Sequence, residues 1–115
     1  MIYLNGNILP DDEAALAYND RGLLLADGVF ETMRTEDGEA VDLELHWQRL
    51  CKGAAHLSIP VPTPIDEIES SIRELLISNQ LDQQPAGIRI TLSRGPGNRG
   101  LAISSNPTPT LLMTC

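Results

Sequence analysis

Positive charge is scarce in this chain. Eight Lys plus Arg stand against sixteen Asp plus Glu, for a formal net charge of −8 over 115 residues. Nucleic acid and anionic membranes demand a basic footprint, so neither is an expected partner. Cysteine is scarce as well. Cys51 and Cys115 have no metal-ligand spacing and imply reduced thiols, with no disulfide framework and no metal site. No apolar run approaches the roughly 20 residues of a membrane span. The opening Met1-Ile2-Tyr3-Leu4-Asn5-Gly6 lacks the basic n-region and long apolar run of a secretory signal. A cytoplasmic, soluble protein is the expectation. Internal repeats are absent, and so is the regular β-α-β alternation of a parallel sheet.

What is present suits one domain, since 42% hydrophobic residues supply a modest core at this length. Residues 2 to 9 predict a hairpin closed by Asn5-Gly6, a pair favoured where both turn residues need positive φ. Ala14 to Tyr18 can add a short extended piece, and Asp20-Arg21-Gly22 carries ordinary turn chemistry. Val29 to Arg34 alternates in the manner of a strand within residues 28 to 35, and Glu36-Asp37-Gly38 turns it back over Glu39 to Leu43. Leu43, Trp47, Leu50, Ala54 and Leu57 have helical spacing, in a helix that starts near Asp42 and stops before Ile59-Pro60. A second helix starts at Thr63-Pro64-Ile65-Asp66, with Thr63 as cap and Pro64 at the first helical position, and runs to about Asn79. Ala86 to Ser93 and residues 107 to 115 complete the strands. The class is α+β, a mainly antiparallel sheet covered by two helices.

One glycine motif needs testing against its context. Gly95-x-Gly97-x-x-Gly100 has the letters of a dinucleotide fingerprint, which must open a helix and be followed by an acid about twenty residues on. Leu101 to Pro107 is no helix, and no such acid follows. A P-loop fails too, because no Lys-Ser or Lys-Thr follows the glycines. A loop carrying Arg99 remains.

Asp20-Arg21-Gly22, then Asp27-Gly28-Val29-Phe30-Glu31, then His46-x-x-Arg49-Leu50 resembles the N-terminal part of the class IV (fold type IV) pyridoxal-phosphate enzymes. That family includes the branched-chain and D-amino acid aminotransferases and aminodeoxychorismate lyase. The order and spacing of these motifs carry the resemblance, which covers essentially the whole chain. Ser93-Arg94-Gly95-Pro96-Gly97-Asn98-Arg99-Gly100 is similar to the Ser-Arg-Gly-x-Gly-x-Arg-Gly segment of the lyases.

The resemblance implies a cofactor, pyridoxal 5'-phosphate, and a division of roles. Arg49 would grip the cofactor phosphate, as a planar, permanently charged guanidinium can; without the resemblance it reads as a solvated arginine on a helix flank. Phe30, Thr32 and Arg34 share one strand face by period two, and in the family that face meets cofactor and substrate. The residues alone leave open that Val29, Glu31 and Met33 are the ligand side, or that neither face is. Arg89 and Arg99 complete the substrate-binding candidates, and His46 and His56 read as structural. Leu25 stands where branched-chain aminotransferases have Tyr, and Leu101 where relatives have Tyr or His.

No catalytic residue is expected here, because pyridoxal-phosphate chemistry uses a Schiff-base lysine. Lys52, the single lysine, lies where the family has none. Relatives carry that lysine in a following, larger domain, which implies that residues 1–115 are the N-terminal domain of a two-domain enzyme and inactive alone. The implied activity is 4-amino-4-deoxychorismate lyase, yielding 4-aminobenzoate and pyruvate for folate synthesis. A class IV aminotransferase acting on branched-chain or D-amino acids is the alternative, and a non-catalytic domain is a third. The family builds each active site from two subunits, so a homodimer acting on a small molecule is expected.

Overall fold

A computed structural model describes residues 1–115. The chain runs β1 (Ile2–Leu4), β2 (Asn7–Leu9), α1 (Arg21–Leu25), β3 (Gly28–Glu36), β4 (Glu39–Ala40), α2 (Leu43–His56), α3 (Ile65–Ser78), β5 (Ala86–Ser93) and β6 (Thr110–Thr114). Asn5 and Gly6 close the first hairpin at φ of 49° and 92°, the positive values that a type I′ turn needs. All strand pairs are antiparallel, in the order β2-β1-β6-β5-β3-β4. The longest pairing joins β3 to β5, from Gly28↔Ser93 to Thr35↔Ala86.

Alternation along β3 and β5 gives the sheet two unlike faces. Glu31, Met33, Ile88, Ile90 and Leu92 are buried beneath α2 and α3, whereas Phe30, Thr32, Arg34 and Arg89 lie exposed on the other side. The helices meet the covered face with Trp47, Leu50 and Ala54 from α2 and Ile68, Ile72, Leu75 and Leu76 from α3. Each buried Leu or Ile contributes about 1.5–3 kcal/mol relative to exposure. Gly53 lets α2 come down onto β3, since a Cβ there would sit 3.1 Å from Val29 Cγ1.

The α+β class and the two covering helices are as the sequence predicts, and the differences are local. Ala14 to Tyr18 forms no strand. Asp20-Arg21-Gly22 is not a free turn but the start of a third helix, α1, whose first amides Asp20 caps by accepting from the Gly22 N–H at 2.8 Å. The return strand stops at Ala40 because Asp42 adopts a left-handed φ of 55° and swings the chain into α2. That geometry leaves Asp42 with no side-chain capping bond. Pro64, not Thr63, occupies the cap position of α3, while Asp66 and Glu67 supply the expected first-turn acids. The last strand begins only at Thr110, since Pro107 and Pro109 have no N–H to give a ladder.

Candidate functional site

The candidate residues fall in three places. The first joins β3 to α2. Glu31 points into the covered face, where a carboxylate must be paired. Arg49 supplies the partner: its Nε donates to Glu31 Oε1 at 2.6 Å and its Nη2 to Oε2 at 2.5 Å. His46, one turn earlier, hydrogen-bonds Oε2 through Nδ1 at 2.8 Å. The hydrogen bonds from Arg49 hold the Glu31 carboxyl below the usual carboxylate range, burial pushes the other way, and His46 adds to the lowering. Glu31 in turn keeps Arg49 protonated. Yet the Arg49 side chain is 67% exposed, and Nη1 has no protein partner. The guanidinium is therefore fixed in orientation on its inner edge and free on its outer edge, an arrangement suited to an anion.

The second place is the open face of the sheet. Arg89 stacks over the Phe30 ring with its guanidinium carbon 3.6 Å from the centroid, and its Nε donates to Thr91 Oγ1 at 3.3 Å. A cavity of about 360 Å³ opens beside them, walled further by Leu16, Leu23 and Leu112. Thr32 shares the face but not the cavity, and Arg34 is engaged by the exposed carboxylate of Glu36. Phe30 and Glu31, consecutive on one strand, point to opposite sides. The structure thus sets Arg49 and the Phe30–Arg89 pair on opposite faces of β3.

The third place is the loop after β5. Arg99 is exposed, makes no hydrogen bond or ion pair, and lines cavities of about 480 and 270 Å³. Helix α1 stands between it and the open face: Gly22 and Leu23 border the Phe30 cavity, and Arg21, Leu24 and Leu25 border the Arg99 cavity. Within one chain Arg99 is not brought to Phe30. The lone lysine, Lys52, is an exposed residue of α2.

Two carboxylates, one buried and one half-buried, hold these places in register. Asp20, 3% exposed, accepts from Ser93 Oγ at 2.8 Å and Thr110 Oγ1 at 2.6 Å, tying α1 to β5 and β6. Asp27 accepts from Arg94 Nε and Nη2 at 2.8 and 3.0 Å and from Arg21 Nε at 2.7 Å. The Arg94 hydrogen bonds hold its carboxyl below the ordinary range against burial, and Arg21 lowers it further. Arg94 also donates to the Leu57 and Ser58 carbonyls at the end of α2. Sequence reading used Arg21, Asp27 and Arg94 as letters of the family motifs and gave them no role. The strand register brings them together: with Gly28 opposite Ser93, Asp27 and Arg94 come next to one another.

A family model for amino-transferase class IV matches residues 28–115. The chain belongs to this family. Its relatives include the D-alanine aminotransferase of Staphylococcus haemolyticus, 32% identical over 108 residues, which are 94% of this chain and 36% of that enzyme. Among solved structures, the 4-amino-4-deoxychorismate lyase of Pseudomonas aeruginosa superposes with a TM-score of 0.78 at 26% identity, over 99% of this chain and 38% of that one. A hypothetical aminotransferase from Mycobacterium tuberculosis, solved in a PLP-bound form, gives a TM-score of 0.77 at 25% identity, over 99% and 38%. The chain spans little more than a third of the length of these proteins. No helix is long and apolar enough to cross a membrane.

Proposed function

We propose that residues 1–115 form the N-terminal domain of a pyridoxal-phosphate-dependent 4-amino-4-deoxychorismate lyase, a cytoplasmic homodimer. Pyridoxal phosphate supplies the electron sink for breaking bonds beside an amine-bearing carbon. The residues fit its phosphate, because Arg49 offers an outward, permanently charged edge braced from behind by the buried Glu31. Phe30 walls the cavity over the open face and Thr32 lies beside it on the same face, with Arg89, and Arg34 once released from Glu36, as the cations that receive a substrate's negative groups. Arg99 holds a carboxylate by a bidentate contact.

The observation that carries the lyase reading is the Ser93-to-Gly100 loop, which presents Arg99 unpaired. Leu101, 85% exposed, adds no polar group beside it, so Arg99 does this work alone. An aminotransferase acting on D-amino or branched-chain amino acids is the second reading, favoured by the 32% identity to a D-alanine aminotransferase. The two separate on the full-length protein. Release of 4-aminobenzoate and pyruvate from aminodeoxychorismate supports the lyase; fast amino transfer from D-alanine or a branched-chain amino acid without that release sinks it.

The missing lysine makes a further expectation about residues 1–115 alone. Incubated with pyridoxal phosphate, they form no stoichiometric, borohydride-trappable adduct. A stable adduct at Lys52 would count against a separate catalytic domain.

The homodimer rests on α1. Leu23, Leu24 and Leu25 are 64%, 60% and 44% exposed, and Tyr18 and Leu101 add to an apolar rim around the Arg99 loop. A second copy docked on that rim takes these apolar side chains out of water.

A further inference from the structure

The Asp20-Arg21-Gly22 motif has no direct part in the functions above, yet Arg21 is 6% exposed and its head reaches across to the Arg99 loop. Its Nη1 donates to the Gly100 carbonyl at 3.0 Å and approaches the Ala102 carbonyl at 3.4 Å. On the other side of Arg99, the Arg21 backbone N–H donates to the Gly95 carbonyl at 3.0 Å. Asn19 exchanges two bonds with Gly97: its Nδ2 donates to the Gly97 carbonyl at 3.1 Å, and its own carbonyl accepts from the Gly97 N–H at 3.2 Å. Every one of these bonds comes from residues 19 and 21. They bracket Arg99 before and after, and leave Arg99 itself untouched.

We propose that Arg21 is a positioning residue, which sets the conformation of the loop from Gly95 to Ala102 so that Arg99 faces the substrate carboxylate. The inference rests on the reading of Arg99 as that carboxylate contact. The backbone bridge Asp20↔Pro96 anchors the start of the loop, but beyond Gly97 the loop has no helix or ladder bond of its own, and free backbone costs about 1–2 kcal/mol per residue to fix, so the Arg21 side chain is what holds its far end. Arg21 can do so because it is itself held: Asp27 accepts from its Nε, and Arg94 braces Asp27 against the end of α2. Gly97 admits the arm, since a Cβ there would lie 2.8 Å from Arg21 Cδ. The loop's attitude is thus referred back to the start of β3, the strand that carries Phe30 and Glu31.

The test compares Arg21→Met, Arg21→Lys, Asn19→Ala and Arg99→Ala in the full-length protein. Arg21→Met leaves Asp27 paired with Arg94, so the fold survives; Asn19→Ala loosens the same loop without touching the buried ion pair. Amide hydrogen exchange across residues 96 to 102 is expected to quicken at least about tenfold in Arg21→Met, less in Asn19→Ala, and not at all in Arg99→Ala. KM for aminodeoxychorismate, or for D-alanine if that is the substrate turned over, is expected to rise several-fold in Arg21→Met and Arg99→Ala. In Arg21→Met, kcat and cofactor affinity stay within about twofold of wild type, and Arg21→Lys recovers part of the loss. Unchanged loop exchange in a folded Arg21→Met overturns the proposal. So does a quickened loop with wild-type KM while Arg99→Ala raises it. An Arg99→Ala variant with unchanged KM overturns instead the reading of Arg99 on which the proposal stands.

Discussion

Arg49 is pinned by a buried acid and open to solvent at once, and the two properties can be tested apart. Arg49→Ala in the full-length protein is expected to weaken pyridoxal phosphate at least about tenfold, the loss of a charge-assisted contact. Equilibrium titration with the cofactor measures it, and unchanged affinity in a folded variant returns Arg49 to a solvated helix flank. Asp27 carries a different prediction. Its pKa is lowered in the fold, so the unfolded chain takes up the proton first as pH falls. The stability it contributes is full above the ordinary carboxylate value of about 4 and is lost as pH drops through the lower folded value. Asp27→Asn should therefore be less stable than wild type at neutral pH, with the gap closing below about pH 4; urea melts at a series of pH values decide it. Period-two alternation made the Phe30, Thr32 and Arg34 face legible in sequence. Asp27 and Arg94 were not, because they lie 67 residues apart and meet only once β3 and β5 are in register.

At the scale of elements, α2, α3 and β5 were readable because each has an unbroken period ending at a proline, a turn or a polar stretch. Helix α1 was not. Five residues make little more than one turn, too short for any period, and its leucines face outward rather than into a core. What holds it is tertiary: Asp20 caps it and is itself gripped by Ser93 and Thr110. Asp20→Ala strips two buried hydroxyls and one amide of their acceptor. A loss of about 2–3 kcal/mol is expected, read as a lower urea midpoint. A loss under about 0.5 kcal/mol would mean that α1 stands without its cap.

For the molecule as a whole, one protomer displays Arg49, Phe30 and Arg99 on separate surfaces, which no reading of motifs could show, since motifs carry order and not direction. The proposed homodimer predicts that the full-length protein has twice the protomer mass in light scattering, and that Leu24→Glu on the apolar rim shifts it toward monomer with loss of activity. A monomeric, fully active wild type contradicts this. The strand order has a consequence in time. Of these six strands β1 is synthesised first, but its neighbour away from β2 is β6, the last of the six, through Tyr3↔Met113 and Leu4↔Leu112. The sheet cannot be completed until Thr114 has emerged from the ribosome, and closing so long a stretch of chain is slow. Through all of that interval the first hairpin waits with an unpaired edge, the kind of edge through which newborn chains pair with one another.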